Sequence, residues 1–301
     1  MVVAQSWSAE SCLAGAVHRT VPGEIGPIAV FDWGGDGPLA LLHHANGFCK
    51  GVWGLVADAL TPHYRVVAMD ARGHGDSAPG RSPADYGWRG YAEDVARVGR
   101  ALIEESGAPG VALGIGHSFG GTSMLGAEAH HPGLFERLLL VDPVIPVPSA
   151  DDAPAGAHVD GLVDRARRRR QDWPSRAEAR LWFAERELFA AWDDRALDLY
   201  VLDGLRDRPD GSVELKCSGE VEAEVFARGG GVDVSAWARC VSVPTLFLWA
   251  TRGNFARAKY ERLVASMPRA RIEDVRAGHL VPMEQPGLVT LAAIRSLGEA
   301  V

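Results

Sequence analysis

The sequence has few cysteines and no long apolar segment. Four cysteines, at positions 12, 49, 217 and 240, show neither the paired spacing of a metal site nor the density of a disulfide framework, which predicts reduced thiols. No uninterrupted apolar run approaches the roughly 18 residues that indicate a membrane span, and the first residues lack the basic and apolar regions of a signal peptide. We therefore expect a soluble, cytoplasmic protein with no membrane partner.

The chain also lacks an excess of positive charge. It has 31 Lys and Arg residues against 39 Asp and Glu residues, a formal net charge of −8, whereas nucleic-acid binders need a basic face for phosphates. A hydrophobic fraction of 47% excludes a disordered chain, and 301 residues suffice for one large domain with an insertion or for two ordinary domains. We expect a small-molecule partner, and a homodimer is compatible with the sequence.

Short apolar runs that alternate with helical patterns predict an α/β fold with a mostly parallel sheet flanked by helices. The alternation breaks between positions 142 and 244, where aromatic and arginine-rich helical patterns replace it. We predict a helical cap at 149–239, inserted between the sixth and seventh strands, and a core formed by 1–148 and 240–301. A second independent domain is the alternative, which the immediate return of strand patterns disfavours. The runs predicted as strands include 28–33, 39–44, 64–70, 111–115, 137–142, 244–250 and 270–275.

The stretch ALGIGHSFGGTSML places Ser118 between Gly116 and Gly120 at the junction of a predicted strand and a predicted helix. Glycines on both sides permit a tight turn that projects the serine hydroxyl from the edge of the sheet. Chance matches to the bare G-x-S-x-G pattern are frequent, but the strand before it and the helix after it meet the required context. The pattern predicts that Ser118 is a nucleophile.

A serine hydroxyl needs a neighbouring base to become a useful nucleophile. The stretch VRAGHLVPMEQP places His279 in a glycine-containing loop just after the last predicted strand. Loops at the carboxyl ends of parallel strands meet at one edge of the sheet, so we expect His279 to reach Ser118. His117 is adjacent to the serine, but strand geometry predicts that its side chain points elsewhere.

Four motifs, HHANGF, MDARGHGDS, GHSFGG and GHLVPMEQP, occur in this order and resemble the α/β-hydrolase superfamily. They resemble its capped branch, which includes esterases, lactonases, epoxide hydrolases and haloalkane dehalogenases, and the resemblance covers about 25–142 and 240–300. It implies the α/β-hydrolase fold and a catalytic triad that uses no cofactor. Dehalogenases and epoxide hydrolases carry aspartate at the position of Ser118, which argues against those two chemistries.

The acid of the triad departs from the common family pattern. Many relatives carry an aspartate shortly after the strand that corresponds to PTLFLWA, where this chain has TRGNF and no carboxylate. Asp142, at the end of the preceding core strand, resembles the arrangement in some haloalkane dehalogenases and lipases, and we expect it to be the acid. The alternative for Asp142 is a structural turn, and Asn254 would orient a histidine without stabilising its charge. The remaining candidates are the cap carboxylates Glu220, Glu222 and Glu224.

Acyl transfer also requires two backbone donors for an oxyanion. The motif assigns one to the amide of Phe119, and the resemblance assigns the other to the amide of Phe48, after the Asn46-Gly47 turn. His43 and His44 have no carboxylate or cysteine partner at a suitable spacing, so we expect no metal site. The segment 70–77, DARGHGDS, is expected to brace the edge of the sheet as a structural turn.

Asn46, Trp53, Trp182 and Phe183 are the candidate substrate-binding residues. The alternative for the aromatic residues is that they bury the cap against itself and the core. We expect a serine hydrolase that cleaves a small to medium hydrophobic carboxylic ester or lactone through an acyl-enzyme. The same triad also serves thioesterases, carbon-carbon bond hydrolases and perhydrolases, and a ligand-binding receptor with low turnover is the alternative outside enzymes.

Overall fold

The computed structural model describes residues 7–146 and 155–298. Its strands are β1 (Val17–Pro22), β2 (Pro27–Gly34), β3 (Leu39–His43), β4 (Arg65–Met69), β5 (Leu113–His117), β6 (Leu138–Val141), β7 (Asp172–Trp173), β8 (Leu205–Asp207), β9 (Val213–Leu215), β10 (Thr245–Arg252) and β11 (Ala270–Gly278). Its helices are α1 (Ala9–Ala14), α2 (Gly54–Leu60), α3 (Trp88–Ser106), α4 (Phe119–His130), α5 (Ala155–Arg167), α6 (Arg176–Ala184), α7 (Asp194–Gly204), α8 (Gly219–Arg228), α9 (Val234–Cys240), α10 (Arg257–Val264), α11 (Val281–Glu284) and α12 (Pro286–Gly298). None of these helices combines the length and the apolar character needed to cross a membrane.

Eight strands form the central sheet, in the order β1-β2-β4-β3-β5-β6-β10-β11. The pairs from β4 to β11 are parallel, and β2 pairs antiparallel with both β1 and β4. The sequence predicted the mostly parallel sheet with flanking helices, and that fold class is confirmed. It did not predict β1, an exposed edge strand whose residues show little apolar alternation.

Both faces of the sheet are buried, which explains the continuous apolar runs of its strands. Along β3, Ala40 and Leu42 belong to one hydrophobic cluster, whereas Leu39 and Leu41 belong to the cluster on the opposite face. All four side chains are at most 4% exposed. The sheet therefore forms the rigid middle layer on whose edge the loops rest.

Between β6 and β10 the chain forms α5 to α9 and a second, three-stranded antiparallel sheet in the order β7-β9-β8. We expected an entirely helical segment here, and these strands differ from that expectation. They contain only two or three residues each, too few for an alternating pattern to be recognised in the sequence. The predicted boundary at 148/149 lies outside the described residues.

Part of the inserted segment packs on one face of the central sheet, whereas Val234, Trp237 and Ala238 of α9 belong to the cluster on the opposite face. Phe183 and Tyr200 belong to the same hydrophobic cluster as Leu42, Ile115 and Val141 of the central strands. A continuous apolar cluster of this kind means that the insertion shares its core with the sheet.

Helix α4 approaches β5 and the end of β3 closely enough to require glycine. A Cβ atom on Gly116 would lie 2.5 Å from the Cα of Gly121, and one on Gly120 would lie 2.4 Å from the carbonyl oxygen of His44. Both neighbours are backbone atoms that cannot move aside independently. These contacts fix the position at which the chain turns from β5 into α4.

We expect Gly120→Ala to lower the free energy of unfolding by about 1–3 kcal/mol, because the added methyl group overlaps backbone atoms. Gly161→Ala is the matched control, since a Cβ there meets no atom within 4 Å and alanine favours a helix. Urea unfolding of both variants measures the difference. Equal stability of Gly120→Ala and the original chain would contradict the steric account.

Candidate active site

Ser118 lies in the sharp turn between β5 and α4 and has φ +54° and ψ −122°. Ser118 and Asp142 are the two non-glycine residues with positive φ in the described part of the chain. The Ser118 amide donates to the carbonyl of Val141 at 2.9 Å, and its own carbonyl accepts from the Thr122 amide at 3.2 Å. A strained backbone held in this way is frequent at functional sites.

The structure brings Ser118, His279 and Asp142 into one hydrogen-bonded chain. The distance from Ser118 Oγ to His279 Nε2 is 2.9 Å, and that from His279 Nδ1 to Asp142 Oδ2 is 2.6 Å. Because Nδ1 faces the carboxylate, it carries the ring proton, which leaves Nε2 to accept from the serine hydroxyl. The Asp142 side chain is fully buried, whereas that of His279 is 17% exposed.

The loop that carries His279 is fixed through its backbone. The carboxylate of Glu284 accepts from the amides of Gly278, at 2.6 Å, and Leu280, at 3.2 Å. On the other side, His117 Nε2 donates to the carbonyl of His279 at 2.9 Å. His117 therefore faces the His279 loop, which differs from the expectation that it points away from the site.

The other candidate acids lie apart from the histidine. Within residues 7–146 and 155–298, Asn254 makes no hydrogen bond to His279. The carboxylates of α8 pair with arginines instead: Glu220 with Arg167, Glu222 with Arg169, and Glu224 with Arg228.

The loop after β3 differs from the expected arrangement at Phe48. The Phe48 amide donates to the carbonyl of Ala45 at 3.2 Å and so closes a local turn. Within the described residues, no acceptor engages the amides of Ala45 and Asn46, and Ala45 directly follows the His44 carbonyl that a Cβ on Gly120 would overlap. Phe119 begins α4, so its amide is one of the first-turn amides without a helical partner. The Phe48 amide is thus engaged within the loop, and the second oxyanion donor stays a prediction.

Asn46 joins this loop to the insertion. Its Nδ2 donates to the carbonyl of Glu222 at 3.0 Å. The Gly47 amide also donates to His74, at 3.1 Å. The Asn46 side chain thus helps to hold the loop against the insertion, and its contact does not require a ligand.

His43 and His44 have structural contacts. The Nδ1 atoms of the two rings donate to the carbonyls of His44, at 2.9 Å, and Ala45, at 2.7 Å, and His44 Nε2 accepts from the Ala71 amide. In the part of the chain that the structure describes, no three His, Cys, Asp or Glu side chains are grouped as metal ligands.

Lys50 forms a buried ionic network under the same loop. Its ammonium group lies 2.8 Å from Asp70, 2.7 Å from Asp76 and 3.2 Å from Asp203, and its side chain is fully buried. Burial lowers the pKa of Lys50, but the three carboxylates outweigh this and raise it above its usual value. Since Asp203 belongs to α7, the network ties the segment 70–77 and the loop after β3 to the insertion.

The aromatic candidates form part of a packed cluster, here called the aromatic cluster. Its members are Phe48, Trp173, Phe183, Phe189, Trp192 and Tyr200, with ring centroids 4.8–5.9 Å apart. Phe183 lies at its centre and is 1% exposed. Trp53 is fully buried nearby, and Trp182 is half-buried, with the Arg186 guanidinium 4.4 Å from its ring centroid.

The class of α/β hydrolases is defined by a mostly parallel sheet that carries a serine turn, a histidine loop and an aspartate at the carboxyl ends of its strands. Here these follow β5, β11 and β6. A family model described as the alpha/beta hydrolase family matches residues 40–293, and the chain belongs to this family. The crystal structure of E-2-(acetamidomethylene)succinate hydrolase superposes with a TM-score of 0.80 and 22% identity, covering 94% of this chain and 100% of that one.

Two curated relatives match parts of the chain. The type I acyl-CoA thioesterase mpaH of Penicillium roqueforti is 32% identical over 170 residues, which are 56% of this chain and 36% of that protein. The pimeloyl-[acyl-carrier protein] methyl ester esterase of Vibrio vulnificus is 30% identical over 107 residues, which are 36% of this chain and 37% of that protein. The matches thus span little more than a third of these relatives.

Four histidines around the site are buried and therefore hard to protonate. Burial lowers the pKa of His43 and His74 to about 4 and that of His117 to about 3, and it lowers the pKa of His44 well below the usual value. Between pH 6.5 and 4 the unfolded chain binds protons that the folded chain does not, so stability falls as the pH falls. Burial raises the pKa of Asp70 to about 6, which offsets part of this loss.

We expect the free energy of unfolding to decrease between pH 6.5 and 4.5, with each buried histidine contributing up to about 1.4 kcal/mol per pH unit. His43→Asn keeps a donor near the position of Nδ1 but removes the titrating group, so its stability should depend less steeply on pH. Urea unfolding at several pH values measures both slopes. The same slope in His43→Asn and the original chain would refute the assignment.

Proposed function

We propose that the protein is a serine hydrolase that cleaves small to medium hydrophobic carboxylic esters or lactones through an acyl-enzyme. The observation that carries this proposal is the hydrogen-bonded chain from Ser118 through His279 to Asp142. The family membership and the esterase and thioesterase relatives support the same reaction class.

The distances fit a mechanism in two half-reactions. His279 Nε2 accepts the Ser118 proton as Oγ attacks the substrate carbonyl, and the same proton then passes to the leaving alcohol. Asp142 accepts the Nδ1 hydrogen bond and balances the charge of the imidazolium. A water molecule, deprotonated by His279, then attacks the acyl-enzyme; the bond from Ser118 Oγ to the acyl carbon breaks, His279 returns the proton to Oγ, and the acid is released.

The amides of Phe119 and Ala45 are the proposed oxyanion donors. Phe119 directly follows the nucleophile, and its amide lies at the positive end of α4. Ala45 follows the segment that contacts the serine turn through Gly120. Fixed donors of this kind stabilise the oxyanion without reorganisation during the reaction.

The surroundings of the loop after β3 favour a hydrophobic acyl group. Phe48 contacts Trp192 and Tyr200 with ring centroids 5.4 Å apart, and Met283 of the His279 loop belongs to the same hydrophobic cluster. Aromatic side chains supply large apolar contact areas. We propose that the cap predicted at 149–239, of which the structure describes 155–239, supplies this apolar wall.

We expect Ser118→Ala to abolish the hydrolysis of a short p-nitrophenyl ester, since no other residue of the described chain replaces its hydroxyl at His279. Asp142→Asn should lower kcat by about 10⁴-fold, as loss of a triad acid does. Asn254→Ala is the control and should change kcat little. Steady-state kinetics checks all three variants, and equal rates for Asp142→Asn and the original chain would exclude Asp142 as the acid.

A thioesterase is the second candidate, favoured by the 32% identity to a type I acyl-CoA thioesterase. The decisive comparison uses an oxygen ester and a thioester with the same hydrophobic acyl group. We expect a higher kcat/KM for the oxygen ester. A higher kcat/KM for the thioester would assign the second function, because both substrates form the same acyl-enzyme and differ only in the leaving group.

A further inference from the structure

Tyr260 is a buried tyrosine on α10 whose hydroxyl reaches the turn that carries Asp142. Its oxygen lies 3.1 Å from Asp142 Oδ1 and 2.8 Å from the carbonyl oxygen of Pro143. The side chain is fully buried, and both acceptors belong to the short segment after β6. The single hydroxyl proton is therefore directed at the strand end that supplies the acid.

The two oxygens of Asp142 have different partners. Oδ2 accepts from His279 Nδ1 at 2.6 Å, whereas Oδ1 accepts from the amide of Ala250 at 3.1 Å and shares the Tyr260 hydroxyl proton, at 3.1 Å, with the Pro143 carbonyl. The Ala250 amide and the shared Tyr260 proton together restrict the rotation of the carboxyl group, which keeps Oδ2 directed at the imidazole. A fully buried carboxylate also needs such donors to remain charged.

Gly253 leaves room for the same carboxyl group. A Cβ at position 253 would lie 2.8 Å from Asp142 Oδ2 and 3.0 Å from the Cβ of Ala250. Ala250, Gly253 and Tyr260 all come from β10 and the chain after it. The chain from Ala250 to Tyr260, which has no acidic residue, thus supports the carboxylate of Asp142 at the end of β6.

We propose that Tyr260 is a positioning residue that acts through Asp142, with Gly253 providing the space that the carboxylate occupies. This inference rests on the proposed hydrolase function. Tyr260 touches neither Ser118 nor His279 in the described contacts, so it influences the reaction only through the orientation of the carboxylate.

The first test is Tyr260→Phe, which removes the hydroxyl and keeps the ring. We expect kcat for a p-nitrophenyl ester to fall about tenfold while KM changes less than twofold, because the lost hydrogen bond to a charged group acts on the reaction step. Tyr64→Phe is the matched control, since the Tyr64 hydroxyl donates to the Ala293 carbonyl at 3.0 Å, within a buried site away from the triad. We expect Tyr64→Phe to lower the melting temperature and leave kcat unchanged.

A double-mutant cycle separates positioning from general destabilisation. The rate at which a fluorophosphonate phosphonylates Ser118, with loss of fluoride, is measured by mass spectrometry in each variant. We expect Tyr260→Phe to slow this step in the original chain but to have no further effect in Asp142→Asn. In Gly253→Ala the added methyl group lies against Oδ2, the other oxygen of the same carboxylate. We expect this variant also to have a lower kcat with a smaller change in KM.

Each outcome has a defined meaning. An original chain that neither turns over the ester nor reacts with the fluorophosphonate would overturn the proposed hydrolase function, and this inference with it. An active chain whose Tyr260→Phe variant keeps its kcat would overturn only the role of Tyr260. An equal effect of Tyr260→Phe in the original and Asp142→Asn backgrounds would also overturn it, because the hydroxyl would then act through Pro143 or through stability.

Discussion

The close approach of α4 to β5 and β3 is the constraint on which the site depends. Glycine at positions 116 and 120 allows this approach, because a methyl group at either position would overlap backbone atoms at 2.4–2.5 Å. The chain can then turn within one residue, and Ser118 takes a conformation that costs about 1–3 kcal/mol. The hydrogen bond that the Ser118 amide donates to the Val141 carbonyl of β6 holds that turn in place. The strain is therefore maintained by the rigid sheet.

Buried charges make the loops around this turn similarly rigid. Lys50 meets three carboxylates, and Arg72 forms a two-bond pair with Asp94 at 2.9 and 3.0 Å. Charges removed from water are tolerated only with such partners, and breaking a pair leaves an uncompensated charge. Both networks involve the segment 70–77, as expected for a segment that braces the edge of the sheet. The loop after β3 thus rests on an ionic network that resists movement.

Much of the fold was predictable, because parallel strands buried on both faces leave strong apolar runs and the serine turn has a local glycine pattern. Ser118, His279 and Asp142 were located by their positions at strand ends, and the structure brings them together. The hydrogen bond of the Phe48 amide depends on the conformation of a loop. The contact between Tyr260 and Asp142 joins residues that are 118 positions apart in the sequence. Neither has a local sequence signal. The nearest indication in the sequence is Tyr260, which follows the strand PTLFLWA, whose end carries no carboxylate.

The contacts divide the molecule into a part that holds Ser118, His279 and Asp142 and a part that holds the loop after β3. The partners of the triad come from the core: Val141, Ala250, Tyr260 and Glu284 all lie outside the insertion. The loop after β3 is instead bound by the insertion, through Asp203 to Lys50 and Gly51, and through Glu222 to Asn46. One backbone hydrogen bond, from Asp193 to Met283, links the insertion to the His279 loop. Changes in the insertion would therefore alter the surroundings of the substrate more readily than the geometry of proton transfer, which suits a fold whose members share a triad and differ in substrate.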